Sequence, residues 1–161
     1  MSQLGTLFAI TREEVDALMA LPEEDRVEHM YENIMETLFD TPRACELDKS
    51  WLGIHRVLTG PGELDSPYDV DEKAGSEPLR FGVCGGALLC PTDAHVLTLT
   101  TPEQAGAFAA AVAGWDEAAF NEAYDRDAAR TMEGRFGEEY RGFCFEYFKE
   151  LRDLHARAAA A

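Results

Sequence analysis

Tyr140, Phe143, Cys144, Tyr147, Phe148, Leu151 and Leu154 recur at helical spacing and share one face over four turns. A stripe this long and this aromatic must be covered, so it predicts a C-terminal helix at the centre of a core. Other elements are predicted around it. Leu4 to Ile10 reads as a short buried strand, followed by the capping box Thr11-Arg12-Glu13-Glu14 and a helix to about Leu21. Pro22 suits the first position of a second helix, whose apolar face is Val27, Met30 or Tyr31, Ile34, Met35 and Leu38. Asp40 to Pro42 end it. A third helix is predicted over Asp48 to Leu58, with Trp51, Ile54, His55 and Leu58 on one face, closed by Gly60-Pro61-Gly62.

Residues 60–78 carry Pro, Gly, Ser and acidic side chains without periodicity and form the longest predicted loop. Strands are predicted near Ala87 to Cys90 and Val96 to Leu99. Thr101-Pro102-Glu103-Gln104 opens a helix to Ala113, and Asp116 caps another to about Tyr124. Short strands among many helices, without regular β-α-β alternation, predict a helix-rich α+β fold with a small sheet. A length of 161 residues fits one domain, 1–161.

Thirty-one Asp and Glu face fourteen Lys and Arg, a formal net charge of −17. Nucleic-acid binding rests on neutralising phosphates with basic side chains, and no basic cluster is present, so neither DNA nor RNA is expected as a partner. Anionic membranes would be repelled too. A cationic protein or a small molecule is the partner class this charge permits, although a large negative charge also simply keeps a protein soluble. No run of 18 apolar residues is present. The opening Met1-Ser2-Gln3-Leu4-Gly5 lacks a charged region followed by an apolar one, so a cytoplasmic setting is expected. Cys45, Cys84, Cys90 and Cys144 should then be unbridged.

Most polar clusters fall short of a known signature. Asp25, His29, Glu32 and Glu36 share a helix face, but the paired Glu-x-x-His motifs of di-iron bundles are missing and a solvated face explains them. Asp65, Asp69, Asp71 and Glu72 lack the EF-hand spacing. Gly82, Gly85 and Gly86 are not followed by Lys-Ser or Lys-Thr, which favours a tight turn over a phosphate loop. Cys84, Cys90 and His95 could hold a metal across a turn, yet the apolar setting favours two buried thiols. No metal or cofactor is therefore expected.

The richest segment is Asp48 to Gly60. A carboxylate one or two turns from an imidazole can orient the ring or raise its pKa, which makes Asp48 and His55 a candidate acid–base pair. The plainer reading has Asp48 as the helix N-cap, Trp51 largely buried as a core anchor, and His55 partly buried at the edge of a cleft.

The same segment, Asp48-Lys49-Ser50-Trp51-Leu52-Gly53-Ile54-His55-Arg56-Val57-Leu58-Thr59-Gly60, resembles the hallmark D-K-x-W-x-x-x-H-x-x-L-T-G of the bacterial YfbM-like family, and every fixed position is matched. The opening Leu4 to Ile10, Pro78-Leu79 ahead of Gly85, and the helix start after Leu99-Thr100 agree with it. The resemblance implies a YfbM-like α+β domain and an unknown function. It points to Asp48, Lys49, Trp51 and His55 as the shared candidate binding residues. Family members continue past the long helix into a strand-like segment, whereas this chain stops at Ala158 to Ala161, so an edge strand is expected to be missing.

The first functional expectation is thus a small, acidic, intracellular binding protein that recognises a cationic protein or a small ligand near the Asp48–His55 helix. The alternative is an enzyme using His55 and Asp48 for acid–base work on a small substrate. Nucleophile, metal and phosphate signatures are absent, which favours the first.

Overall fold

The computed structural model describes residues 4–60, 75–91, 96–126 and 139–160. The predicted loop acids and His95 lie outside them. Strand β1 (Gly5–Phe8) leads to helix α1 (Arg12–Met19), closed at its start by the predicted capping box. A 3-10 turn, Glu23–Asp25, with Pro22 as its N-cap, then enters a continuous helix, α2. This consists of an α segment Arg26–His29, a π segment Met30–Met35 and a short α segment Glu36–Leu38. Sequence periodicity located this helix but gave no sign of the wider π turns within it.

Strand β2 (Ala44–Asp48) follows, where no strand was expected, and then helix α3 (Trp51–Thr59). A 3-10 segment, Leu79–Gly82, precedes strands β3 (Ala87–Pro91) and β4 (Val96–Leu99). Helices α4 (Pro102–Val112), α5 (Glu117–Arg126) and α6 (Tyr140–Ala160) complete the described chain. Thr101 and Gln104 form the predicted capping box, and Asp116 accepts from the Ala119 N–H at 2.9 Å.

The expected small sheet is in fact two separate antiparallel pairs, β1 with β2 and β3 with β4. β1 aligns Gly5 with Asp48 and Phe8 with Ala44, with an irregularity after Gly5. In β2 the side chains alternate: Cys45 and Leu47 face the core while Glu46 faces out. The fold is a helix-rich α+β domain.

The aromatic stripe does what its length demands. Tyr140, Cys144, Phe148, Leu151 and Leu154 of α6 are all buried, and α6 packs on α4, β2, α3 and α5. Phe148 meets Phe120 at 5.0 Å and Trp115 at 5.9 Å between ring centroids. Gly53 permits the close approach of α3 to α6, since a Cβ there would lie 2.8 Å from both Cys144 Sγ and Tyr140 Oη. The four cysteines are free and buried, as expected. Among the described residues no helix is long and apolar enough to cross a membrane.

Candidate functional site

The motif residues part company in space. Asp48 is the last residue of β2 and holds a left-handed backbone, φ 44°. It does not cap α3. The N-cap is Ser50, wholly buried, whose hydroxyl donates to the Leu47 carbonyl and makes no side-chain cap bond. A tight reversal between strand and helix occupies the place where the sequence suggested a cap, and a left-handed Asp is among the few non-glycine residues that tolerate it. Asp48 acts on α6: with Glu46 and Glu150 it reinforces the burial that raises the Tyr147 phenol's pKa. Lys49 is exposed, and its contribution is a backbone one, its carbonyl accepting from Tyr140 Oη at 2.8 Å.

Trp51 and His55 converge elsewhere. Trp51 is only half-buried, a correction to the expected core anchor, because one side of it faces a groove. Gly5, also in the groove lining, presses on it; a Cβ at Gly5 would come within 2.8 Å of Trp51 Cβ. His55 is 1 % exposed, so it lies beneath the surface and not at a cleft edge.

The partner that sequence reasoning missed is Cys84. Its sulfur lies 3.4 Å from His55 Nδ1 and is packed around by Trp51, Val83 and Val96. The turn that delivers it follows the 3-10 segment and passes through Gly85 at φ +73°, where a side chain would also strike Thr98. Thr59 Oγ1 lies 3.4 Å from His55 Nε2 and donates its own proton to the His55 carbonyl at 2.8 Å. The hydroxyl has one proton, already committed, so toward Nε2 it can only accept. The Cys84 sulfur, 3.4 Å from Nδ1 and 3.8 Å from Nε2, sits beside the ring and in line with neither nitrogen's lone pair.

Electrostatics keep the pair neutral. Burial, then the charges of Arg56 and Arg80, lower the imidazole pKa to about 4. Burial pushes the Cys84 thiol up to about 12, against a smaller opposing pull from Arg80. The pair is thiol and imidazole over the whole physiological range. Asp48 is absent from the charges acting on His55.

Cys84 lies on the floor of a groove of about 1460 Å³. Its walls come from β1, α1, α2, β4 and the ends of α4 and α6, and are mainly apolar, with Phe8, Met30, Val83, Leu89 and Leu97 among them. Charged side chains at the groove are Arg12, Arg43, Glu103 and Arg157. Arg43 is paired with Glu14 and Arg12 with Asp16, while Arg157 donates to the Pro42 carbonyl at 2.9 Å. His29, the other histidine singled out in the sequence, is bonded to Asn33 on the outer part of α2 and plays no part here. Among the described residues no group of three His, Cys, Asp or Glu side chains could hold a metal.

Fold and site thus define a helix-rich α+β domain with an apolar groove lined in part by Cys84, behind which His55 is buried. The chain belongs to the family described as a domain of unknown function, DUF1877, whose model matches residues 1–161. No curated protein and no solved structure matches the chain.

Proposed function

We propose that this protein is a small-ligand binding protein whose ligand is an elongated apolar molecule with an anionic head, held in the groove beside α3. The observation that carries this reading is the groove itself. An apolar concavity of about 1460 Å³ exceeds the usual range of roughly 300–1,000 Å³ for small-molecule sites. Apolar walls reward burial of a hydrocarbon body by about 25 cal/mol per Å². Arg157 beside the groove supports an anionic head in a protein otherwise strongly negative. The net charge supports a second reading, a cationic protein bound elsewhere on the acidic surface. The YfbM-like motif and the unbridged thiols support a bacterial, cytoplasmic setting.

Palmitate is the test ligand, and Met30 lines the groove. Calorimetric titration should give one bound palmitate per chain, and Met30→Arg should weaken it by about tenfold or more. Absence of palmitate binding to the native protein, or binding indifferent to Met30→Arg, would remove this reading.

A further inference from the structure

We propose that the groove binds an extended apolar peptide, laid as an added strand between the open edges of β1 and β4 with its C-terminal carboxylate toward Arg157. The proposal rests on the groove-binding reading above and names the class of its ligand: the apolar body is a peptide chain and the anionic head is its terminal carboxylate.

The two strand pairs are incomplete on the same side. Among the described residues β1 pairs only with β2 and β4 only with β3, so each keeps one open edge. Both edges face the groove. A strand that lines a cavity with one face touches it at alternate residues. Here every residue from 4 to 12 and from 96 to 103 lines the groove, whereas β2 contributes only Leu47 and β3 only Leu89. Exposure agrees, being uniform and intermediate along β1 and β4 while it alternates along β2.

The backbone groups on those edges follow from the bonds already made. The Ala9 N–H donates to the Arg43 carbonyl at 2.7 Å, and the Ala9 carbonyl accepts from Arg43 Nε at 2.8 Å, so Ala9 faces the β2 side. Backbone groups alternate between the two edges of a strand, which turns those of Thr6 and Phe8 toward the groove. On β4 the Leu99 carbonyl accepts from the Gly86 N–H at 3.0 Å on the β3 side, which turns Thr98 the other way. Open backbone donors and acceptors between apolar walls match a ligand that carries the same groups about every 3.3 Å. A peptide strand has them and a hydrocarbon lacks them.

The ends of the groove give the direction. Both strands begin near Trp51: Gly5 presses on it, and Val96 packs with it around Cys84. Both end near the last turns of α6. The Pro42 carbonyl, beside the Arg43 that faces Ala9, accepts from Arg157, and a Cβ at Gly106, just past β4, would lie 3.6 Å from that of Ala159. β1 and β4 therefore run the same way. Arg12 and Arg43 already hold Asp16 and Glu14. Arg157 forms no ion pair among the described residues, so it is the groove cation left for a carboxylate. A peptide ending there runs parallel to both neighbours, and spanning the four residues of β1 takes on the order of five residues.

The test is calorimetric titration of the full chain with an acetylated hexapeptide of alternating valine and threonine with a free C-terminus. One peptide should bind per chain and compete with palmitate. Methylating alternate backbone nitrogens removes the donors of one edge and keeps every side chain; on either edge it should weaken binding by about tenfold or more. Amidating the C-terminus should weaken it by about fivefold, and Arg157→Gln should weaken the free acid equally while leaving the amide unchanged. Binding indifferent to N-methylation would overturn the proposal, as would binding that leaves palmitate in place. A dimer in sedimentation that the peptide fails to disperse would assign the edges to a second copy and overturn it too. No peptide binding while palmitate still binds would overturn the peptide assignment alone. Binding of neither would remove both readings.

Discussion

His155 and His55 are both buried, both neutral, and both served by the same few residues of chain, yet their surroundings do opposite things. His155 Nε2 donates to the Gly82 carbonyl at 3.0 Å, and its ring packs on Phe108 at 4.6 Å. That partner is backbone, can only accept, and cannot react. Two residues on, Cys84 lays its sulfur beside the His55 ring, 3.4 Å from Nδ1 and 3.8 Å from Nε2, a side-chain partner and not a backbone one. The 79–84 stretch thereby ties α6 to α3 through two imidazoles, His155 in the lining of the groove and His55 beneath it. Burial of a histidine is therefore no guide to its role. The partner atom decides.

The comparison can be broken most forcefully on the His155 side. Phe108 is wholly buried between His155 and Gly82. Phe108→Ala should cost about 3–5 kcal/mol in urea unfolding. If the loss is confined to this side, palmitate should still bind to the folded fraction; if binding disappears first, the two regions are one cooperative unit.

Acid separates the regions next. His55 has a folded pKa of about 4 against 6.5 unfolded, so the unfolded chain takes up a proton that the folded chain refuses. Its contribution is complete above pH 6.5 and is lost as pH falls toward 4. The full shift is worth about 3 kcal/mol at about 1.4 kcal/mol per pH unit. His155 is shifted in the same direction by burial, opposed in part by its bond to Gly82. Urea midpoints measured from pH 7 to 4 should fall in the native protein and fall less steeply in His55→Gln. Equal slopes would mean that His55 is not buried neutral.

His155→Leu should cost about 1–3 kcal/mol, because it strands the Gly82 carbonyl in the core. It should leave the acid dependence contributed by His55 unchanged. A change in that dependence would show that Gly82 to Cys84 transmits strain between the two rings. The smallest effect belongs to a site remote from both, the N-cap of α4: Thr101→Ala should cost about 1 kcal/mol in thermal or urea unfolding and leave both histidines as they are.

What the sequence revealed follows from how local each signal is. α6 was legible because its stripe has one period over many residues. The capping boxes at Thr11 and Thr101 and the cap at Asp116 were legible because donor and acceptor lie three residues apart. β2 was missed although Cys45, Glu46 and Leu47 alternate, because five residues make a weak period and Asp48 resembled a helix cap. The His55 site was half legible. The motif pointed to Trp51 and His55, but the residue that gives the ring a chemical partner is 29 positions away, across the predicted loop. Asp48 and Lys49 belong to the motif for other reasons: one completes a left-handed turn, the other lends its carbonyl to Tyr140.

The four buried thiols also make the chain its own stopwatch. Cys45 sits in β2, Cys84 in the lining of the groove, Cys90 in β3 and Cys144 in the middle of α6. A bulky aqueous thiol reagent can reach Cys45, Cys90 and Cys144 only when their own elements open, whereas Cys84 is approached from the groove. Residue-resolved labelling rates then report three separate opening events, and at Cys84 access to the groove, without any introduced probe. Cys144, locked against Gly53 where α3 meets α6, should label last and mark global unfolding.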